Sequence, residues 1–321
     1  IVATPGRLAD HIKSSSGAMF LKKVKFVVLD EADRLLTPSF APDLGVIMDQ
    51  LPRDRQTLLY TATLTEAILA LQHGDGAEEG AERKPAPFVY RCDTGIATVA
   101  TLRQRYLFVP SHVREAYLAL LLHAMVSDAR SVIVFTGHCR TAEVLRAMLT
   151  ELGVSCAALH SMLSQRARLA SLGQFKSRVV RVLIATDVGS RGLDIPTVDL
   201  VVNYDVPRDP ADYIHRVGRT ARAGRGGAAV TIVAERDVAL VHAIEERIGV
   251  KLDELTVPEN AVVDSLTEVS AAKRLAVMVG APHLRCTAGA NVLPCTVANA
   301  RHIIWRKAVY SETQAARCRG S

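Results

Sequence analysis

The sequence predicts an α/β protein built on parallel sheets and organised as two domains. Two observations carry this. From Arg105 to Val233 short apolar runs alternate with stretches of helical length, the pattern of strands joined by crossover helices in a parallel sheet. Several apolar runs also end abruptly in polar residues, as at Asp30-Glu31-Ala32-Asp33 and Ala185–Asp194, and an open parallel sheet presents its ligand-binding loops beyond the carboxyl ends of its strands. The 321 residues suffice for two cores.

Taken in order, Ile1–Thr4 reads as a strand end and Thr4-Pro5-Gly6-Arg7 as a turn, followed by a short helix to about Lys13. Val24–Leu29 reads as a buried strand with a helix from Glu31, and Thr57–Tyr60 as a second buried strand leading into Thr61-Ala62-Thr63. A helix is expected over Glu66–Leu71 and a short strand at Phe88–Tyr90. His73–Pro87 between them is polar and rich in Gly and Pro, a loop. The second half predicts strands at Arg105–Val109, Ser131–Thr136, Ser155–Leu159, Val179–Ala185, Asp199–Tyr204 and Ala228–Val233. Helices are expected at Arg114–Met125, Thr141–Leu152, Gln165–Lys176, Pro210–Val217 and Asp237–Ile248. The domain boundaries that follow are 1–93, a linker over 94–101, 102–252, and a divergent, irregular basic tail over 253–321.

The net charge of +6 points weakly to a polyanionic partner. The excess sits in the tail, where basic residues from Lys273 to Arg319 meet one acid, Glu312. The six cysteines show neither metal-ligand spacing nor a disulfide framework, and no apolar run is long enough to span a membrane. An intracellular, reduced protein without a membrane is expected.

Asp30 and Glu31 can divide labour at a strand end. One can hold a hard cation such as Mg2+ through water, and the other can take a proton from a reacting water. Acidic residues also suit a helix start through the macrodipole, and the pair alone fits both readings. Ala185–Asp194 gathers a hydroxyl, two glycines, Arg191 and two carboxylates, and its turn can bring N–H groups close to phosphate. His215–Arg225 carries four arginines interleaved with glycine. Arg219 and Arg222, three apart, would share a side of a helical turn and suit a phosphoryl group whose charge grows in the transition state. Thr61 and Thr63 could bond Asp33 or cap a helix. Thr4, Gly6 and Arg7 could hold a nucleic-acid phosphate or form a plain turn. Arg168 could bind phosphate or pair with an acid.

Together these stretches resemble the DEAD-box RNA helicases over about Ile1–Lys251. Thr4-Pro5-Gly6-Arg7, Asp30-Glu31-Ala32-Asp33, Thr61-Ala62-Thr63, Val132–Gly137, Gln165–Arg168, Thr186–Asp194, Asn203-Tyr204-Asp205 and His215–Arg222 follow the family's order. Thr61 stands where the family's Ser-Ala-Thr has serine. Arg7-Leu8-Ala9-Asp10-His11, Leu159-His160-Ser161-Met162-Leu163 and Leu240–Glu246 look most like the nucleolar members that assist small-ribosomal-subunit assembly.

The resemblance implies two RecA-like domains, the second complete and the first incomplete at its N-terminus. It also implies ATP and Mg2+ as cofactors. Asp30 would hold Mg2+ through water and Glu31 would orient and deprotonate the attacking water. Arg219 and Arg222 would reach the γ-phosphate, Asp194 the ribose, and Gly192 and Arg191 would support the nucleotide. Asp33, Thr61 and Thr63 would couple ATP state to RNA binding, and His215 would couple the two domains. Thr4, Gly6, Arg7, Arg168, Thr186 and Gly192 would hold RNA phosphates, with little sequence preference. Pre-ribosomal RNA and assembly factors, a nuclear and nucleolar location, and a monomer are implied as well. The family's phosphate-binding loop, G-x-x-x-x-G-K-[ST], does not occur in the chain. The sequence therefore predicts an N-terminally truncated helicase that binds ATP weakly alone, with a first sheet that exposes an apolar edge or face. The competing expectation is a non-catalytic RNA-binding or regulatory piece.

Overall fold

The structure, a computed structural model, describes residues 1–14, 21–61, 68, 88–90, 101–125, 130–190, 192–221 and 226–283. The chain divides into two units, Ile1–Gly95 and Ile96–Ser321.

In the first unit, α1 (Pro5–Ser14) starts inside the expected turn. Pro5 takes the first helical position, where its missing N–H costs nothing, and Leu8 N donates to Thr4 O at 3.0 Å. β1 (Phe26–Leu29) and β2 (Gln56–Leu59) pair in parallel, joined through α2 (Ala32–Leu35) and α3 (Ala41–Asp49). α1 packs against α3. The strands fall where the sequence places them but are not buried. Phe26 is 64% and Val28 58% exposed, and Leu59 and Tyr60 are exposed as well. An apolar run marks strand propensity; burial needs a covering layer on each face. Phe88–Tyr90 forms no strand, and its aromatic rings are exposed. The helix expected over Glu66–Leu71 lies outside the described residues except Ile68, which is helical and buried.

The second unit holds a seven-stranded, all-parallel sheet. Its strands are β3 (Leu102–Phe108), β4 (Val132–Thr136), β5 (Cys156–Leu159), β6 (Val182–Thr186), β7 (Leu200–Asn203), β8 (Gly227–Val233) and β9 (Asp253–Glu254), in the order β5-β6-β4-β7-β8-β3-β9. The helices are α4 (Arg114–Met125), α5 (Cys139–Glu151), α6 (Gln165–Lys176), α7 (Asp187–Ser190), α8 (Pro210–Val217), α9 (Val238–Ile248) and α10 (Glu259–His283). β4, β6 and β7 are buried at every position, as a strand covered on both faces must be. Alternate residues feed two cores. Val134, Ile184 and Val202 pack with Leu122 of α4, Leu145 of α5 and Val269 of α10. Phe135, Leu183 and Val201 pack with Phe175 of α6, Tyr213 of α8 and Ile244 of α9.

Two boundaries differ from expectation. The strand expected from Val179 begins at Val182, because Arg178 turns left-handed (φ 61°) after α6 and Val179 N returns to Gln174 O. The second unit also continues past residue 252. β9 adds to β3, and α10 forms within the stretch read as an irregular tail. Val262, Val269, Ala272 and Ala276 recur at helical spacing and are buried, so this part of the stretch completes a core. Residues beyond His283 lie outside the described set. Among the described residues no helix is long and apolar enough to cross a membrane.

Candidate functional site

In the first unit the site is built where β1 and β2 end together. Tyr60 N donates to Leu29 O at 2.9 Å and Ala32 N to Tyr60 O at 3.0 Å. These two bonds bracket Asp30 and Glu31 and force the chain to bulge between them. Glu31 takes up the turn in the left-handed region (φ 52°, ψ 48°), a conformation that costs a non-glycine residue about 1–2 kcal/mol and clusters at functional sites. The expected helix therefore begins at Ala32, and Glu31 is its cap residue without a side-chain cap bond. Asp30 is exposed, with Oδ1 accepting from Glu31 N at 2.9 Å. Asp33 is buried, with Oδ1 accepting from Arg34 N at 3.0 Å. Thr61 follows Tyr60 at the same edge and is exposed; Thr63 lies outside the described residues. Thr4 and Arg7 are exposed at the start of α1, where the first N–H groups of a helix have no intrahelical partner.

Among the described residues no group of three His, Cys, Asp or Glu side chains could hold a metal alone. An exposed aspartate beside a glutamate nevertheless fits Mg2+, which is usually held by one or two carboxylates together with phosphate oxygens and water.

In the second unit the loops beyond the sheet are tied together by ion pairs and close packing. Arg216 on α8 points inward and is 3% exposed. Its Nε and Nη2 each donate to Asp187 at 2.7 Å, one to each carboxylate oxygen. Its Nη1 donates to Asp205 O at 2.7 Å, and its guanidinium lies 5.3 Å from the Phe135 ring centroid. Neither Arg216 nor Asp187 stands out in the sequence. The only signal was the neighbourhood of each, a polar loop after a strand and a basic cluster.

Helix α8 ends at Val217 with Gly218 as its cap. Thr220 Oγ1 then donates to Val198 O, and Ala221 is left-handed (φ 54°). Arg219 thus sits in a turn rather than on a helix, and its carbonyl accepts from Val198 N at 3.0 Å. The chain from Arg219 to Ala221 is therefore not helical. Arg222 and Arg191 lie outside the described residues. His215 stays on α8, partly exposed.

Thr186 ends β6, and its Oγ1 accepts from Gly189 N at 3.2 Å. Gly189 O accepts from Arg168 Nη2 at 2.9 Å. A Cβ on Gly189 would stand 2.5 Å from both His160 Cα and Leu159 O, so only glycine allows this approach. The structure thus brings Thr186, Arg168 and the β5–α6 loop together. His160 is buried, with Nε2 2.8 Å from Glu143 Oε1. Burial alone would raise the Glu143 carboxyl, but hydrogen bonds and charge from His160 and Arg146 outweigh it and hold the group at about 2. An ionised carboxylate only accepts, so Nε2 carries the proton. Gly192 is left-handed (φ 65°). Asp194 is exposed, with Oδ2 2.8 Å from Lys176 Nζ.

An all-parallel sheet with its polar loops collected beyond the strand ends, in a chain whose first unit ends a strand in Asp-Glu, defines the RecA-like helicase class. Residues 1–71 match the family described as DEAD/DEAH box helicase, and residues 114–224 match the helicase conserved C-terminal domain. The chain is 51% identical over 284 residues to ATP-dependent RNA helicase DBP8 of Yarrowia lipolytica, covering 87% of this chain and 63% of that protein. It is 47% identical over 279 residues to the probable ATP-dependent RNA helicase DDX49 of Homo sapiens, covering 85% of this chain and 56% of the relative. The structure of S. cerevisiae Dbp5 bound to RNA and ADP BeF3 superposes with a TM-score of 0.69 at 30% identity, covering 85% of this chain and 69% of that one. The chain belongs to the DEAD-box helicase family. It spans less than two thirds of the length of the curated relatives it matches.

Proposed function

We propose that the protein is part of an ATP-dependent RNA helicase that uses ATP hydrolysis to open short RNA duplexes or remodel RNA–protein complexes. The observation that carries this is the bulge at the end of β1, which sets Glu31 on a left-handed residue beside exposed Asp30. Asp30 would hold Mg2+ through water, and Glu31 would orient the attacking water and accept its proton. When bound with ATP, the cation supplies neutralisation of phosphate charge. From the second unit, Arg219 and Arg222 would offset charge growing on the transferred phosphoryl group, and Gly192, Arg191 and Asp194 would hold the nucleotide. Asp33, Thr61, Thr63 and His215 would report nucleotide state to the RNA surface. Thr4, Gly6 and Arg7, with Arg168, Thr186 and Gly192, would hold RNA through its phosphates.

The relatives DBP8 and DDX49 are named as ATP-dependent RNA helicases, and Dbp5 was solved with RNA and a nucleotide; both support this reading. The stretches resembling nucleolar members support pre-ribosomal RNA as substrate, assembly factors as partners and the nucleolus as location; the working form in this reading is a monomer. Cross-linking in cells followed by sequencing of the bound RNA tests the substrate. Recovery of messenger RNA alone would refute it.

The test of catalysis is RNA-stimulated ATP hydrolysis by the chain extended upstream with a relative's phosphate-loop segment. Glu31→Gln should lower turnover by about a hundredfold or more. Undiminished turnover would overturn the role of Glu31. A second reading, a non-catalytic RNA-binding piece, is favoured for the 321-residue chain by itself because G-x-x-x-x-G-K-[ST] does not occur in it. Titration of this chain with Mg-ATP separates the two: tight binding would eliminate the second reading.

A further inference from the structure

Helix α10 lies outside both matched family segments, yet a continuous line of polar contacts runs from it to Arg216. Lys273 Nζ lies 2.6 Å from Glu115 Oε1 on α4. The same oxygen accepts from the Tyr204 hydroxyl at 3.0 Å. Burial, with the Glu115 charge adding to it, raises the Tyr204 phenol, so this hydroxyl remains a donor at working pH. Arg114, next to Glu115, stacks 4.4 Å from the Tyr204 ring centroid and donates to Tyr204 O. Its Nη2 also reaches Asp205 Oδ1 at 3.1 Å. Asp205 then makes two bonds at the carboxyl end of the sheet: Oδ2 accepts from Gly137 N at 2.8 Å, and its carbonyl accepts from Arg216 Nη1 at 2.7 Å.

We propose that Lys273, Glu115 and Tyr204 are positioning residues that set the Tyr204–Asp205 loop from behind and thereby fix Arg216 and the turn that carries Arg219. Its functional meaning rests on the helicase reading; the coupling itself does not. The reason is the sharing of atoms. Glu115 Oε1 serves both Lys273 and Tyr204, so loss of the lysine leaves a half-buried carboxylate oxygen held by the phenol. Linked hydrogen bonds of this kind polarise one another, and deletion of one member is felt at the others. Arg114 makes the connection directional, since one guanidinium holds the Tyr204 ring, its carbonyl and the next side chain. The Lys273–Glu115 pair lines an open recess with Ser270 and Arg274, so a bulkier cation has room there.

The test uses the 321-residue chain. Backbone and arginine Nε–H signals are recorded by NMR for the parent, Lys273→Met, Lys273→Arg and Tyr204→Phe, with Tm measured for each. Lys273→Met and Tyr204→Phe should both move the Gly137 amide and the Arg216 Nε–H signals, and Lys273→Arg should return them to the parent positions. In the upstream-extended chain, Lys273→Met should lower kcat about threefold to tenfold, with KM for RNA and ATP unchanged, and Lys273→Arg should restore it. Unmoved Gly137 and Arg216 signals in a folded Tyr204→Phe protein would overturn the proposal. So would a Lys273→Met effect that arginine does not rescue. Absence of ATP turnover in the extended parent would instead count against the helicase reading, while the NMR coupling would still stand or fall by itself.

Discussion

Arg216 grips Asp187 with two parallel hydrogen bonds of 2.7 Å each, across 29 residues of sequence. The pair joins the loop after β6 to helix α8, and so joins the two polar clusters of the second unit. With the arginine 3% and the aspartate 21% exposed, water cannot replace a lost partner. Asp187→Ala should therefore cost about 3–5 kcal/mol of stability, the price of an uncompensated buried charge. Urea unfolding of the second unit checks this. An exposed pair such as Lys176–Asp194 should give under about 1 kcal/mol in the same assay.

Glu143 makes stability depend on pH. Its carboxyl titrates near 2 in the folded protein against an ordinary value of 4.5. A group whose folded value is depressed contributes stability above its unfolded value and loses it as pH falls through the folded one. The contribution should be whole above about pH 4.5 and disappear between there and about pH 2, amounting to a few kcal/mol at most. Urea midpoints at several pH values check this, and Glu143→Gln should flatten that part of the curve.

Two glycines should respond to alanine with opposite signs. At Gly189 a Cβ meets backbone at 2.5 Å, so Gly189→Ala should destabilise by about 1–3 kcal/mol and weaken RNA binding by displacing the Thr186 and Arg168 contacts. At Gly173, within α6, nothing stands within 4 Å of the new carbon. Gly173→Ala should stabilise by about 0.5–1 kcal/mol. Thermal unfolding with RNA binding by anisotropy tests both.

Glu31 carries backbone strain along with its carboxylate. Glu31→Gly should stabilise the first unit by about 1 kcal/mol through relief of the left-handed conformation, while Glu31→Gln should leave stability unchanged. Chemical unfolding of the two variants separates the backbone effect from the side-chain effect.

The second unit was legible in the sequence where signals are local. Arg114–Met125, Gln165–Lys176 and Pro210–Val217 form helices with the bounds their patterns predict. Val132–Thr136 is a fully buried strand, as its unbroken apolar run requires. The failures lie where distant residues decide. The inward turn of Arg216 depends on Asp187, and in the sequence it is one arginine among four. The left-handed Glu31 depends on Tyr60 bonding both sides of the bulge. α10 shows no strong apolar period in the sequence because its buried face is made of the small residues Val, Ser and Ala. β1 and β2 expose the apolar face expected of the first sheet, since a run of Val and Leu reports what a strand prefers and not whether a layer covers it.

The position of β3 also bears on how the chain acquires its shape. β3 is the first strand of its unit to be made, yet it lies between β8 and β9 and finds no ladder partner until Gly227–Glu254 has been synthesised. Loop closure over that span must precede the contacts that reward it, which slows folding and leaves strand edges open to other chains meanwhile. The nascent second unit is therefore a natural client for chaperones, and truncation before Glu254 should leave β3 without its last strand neighbour.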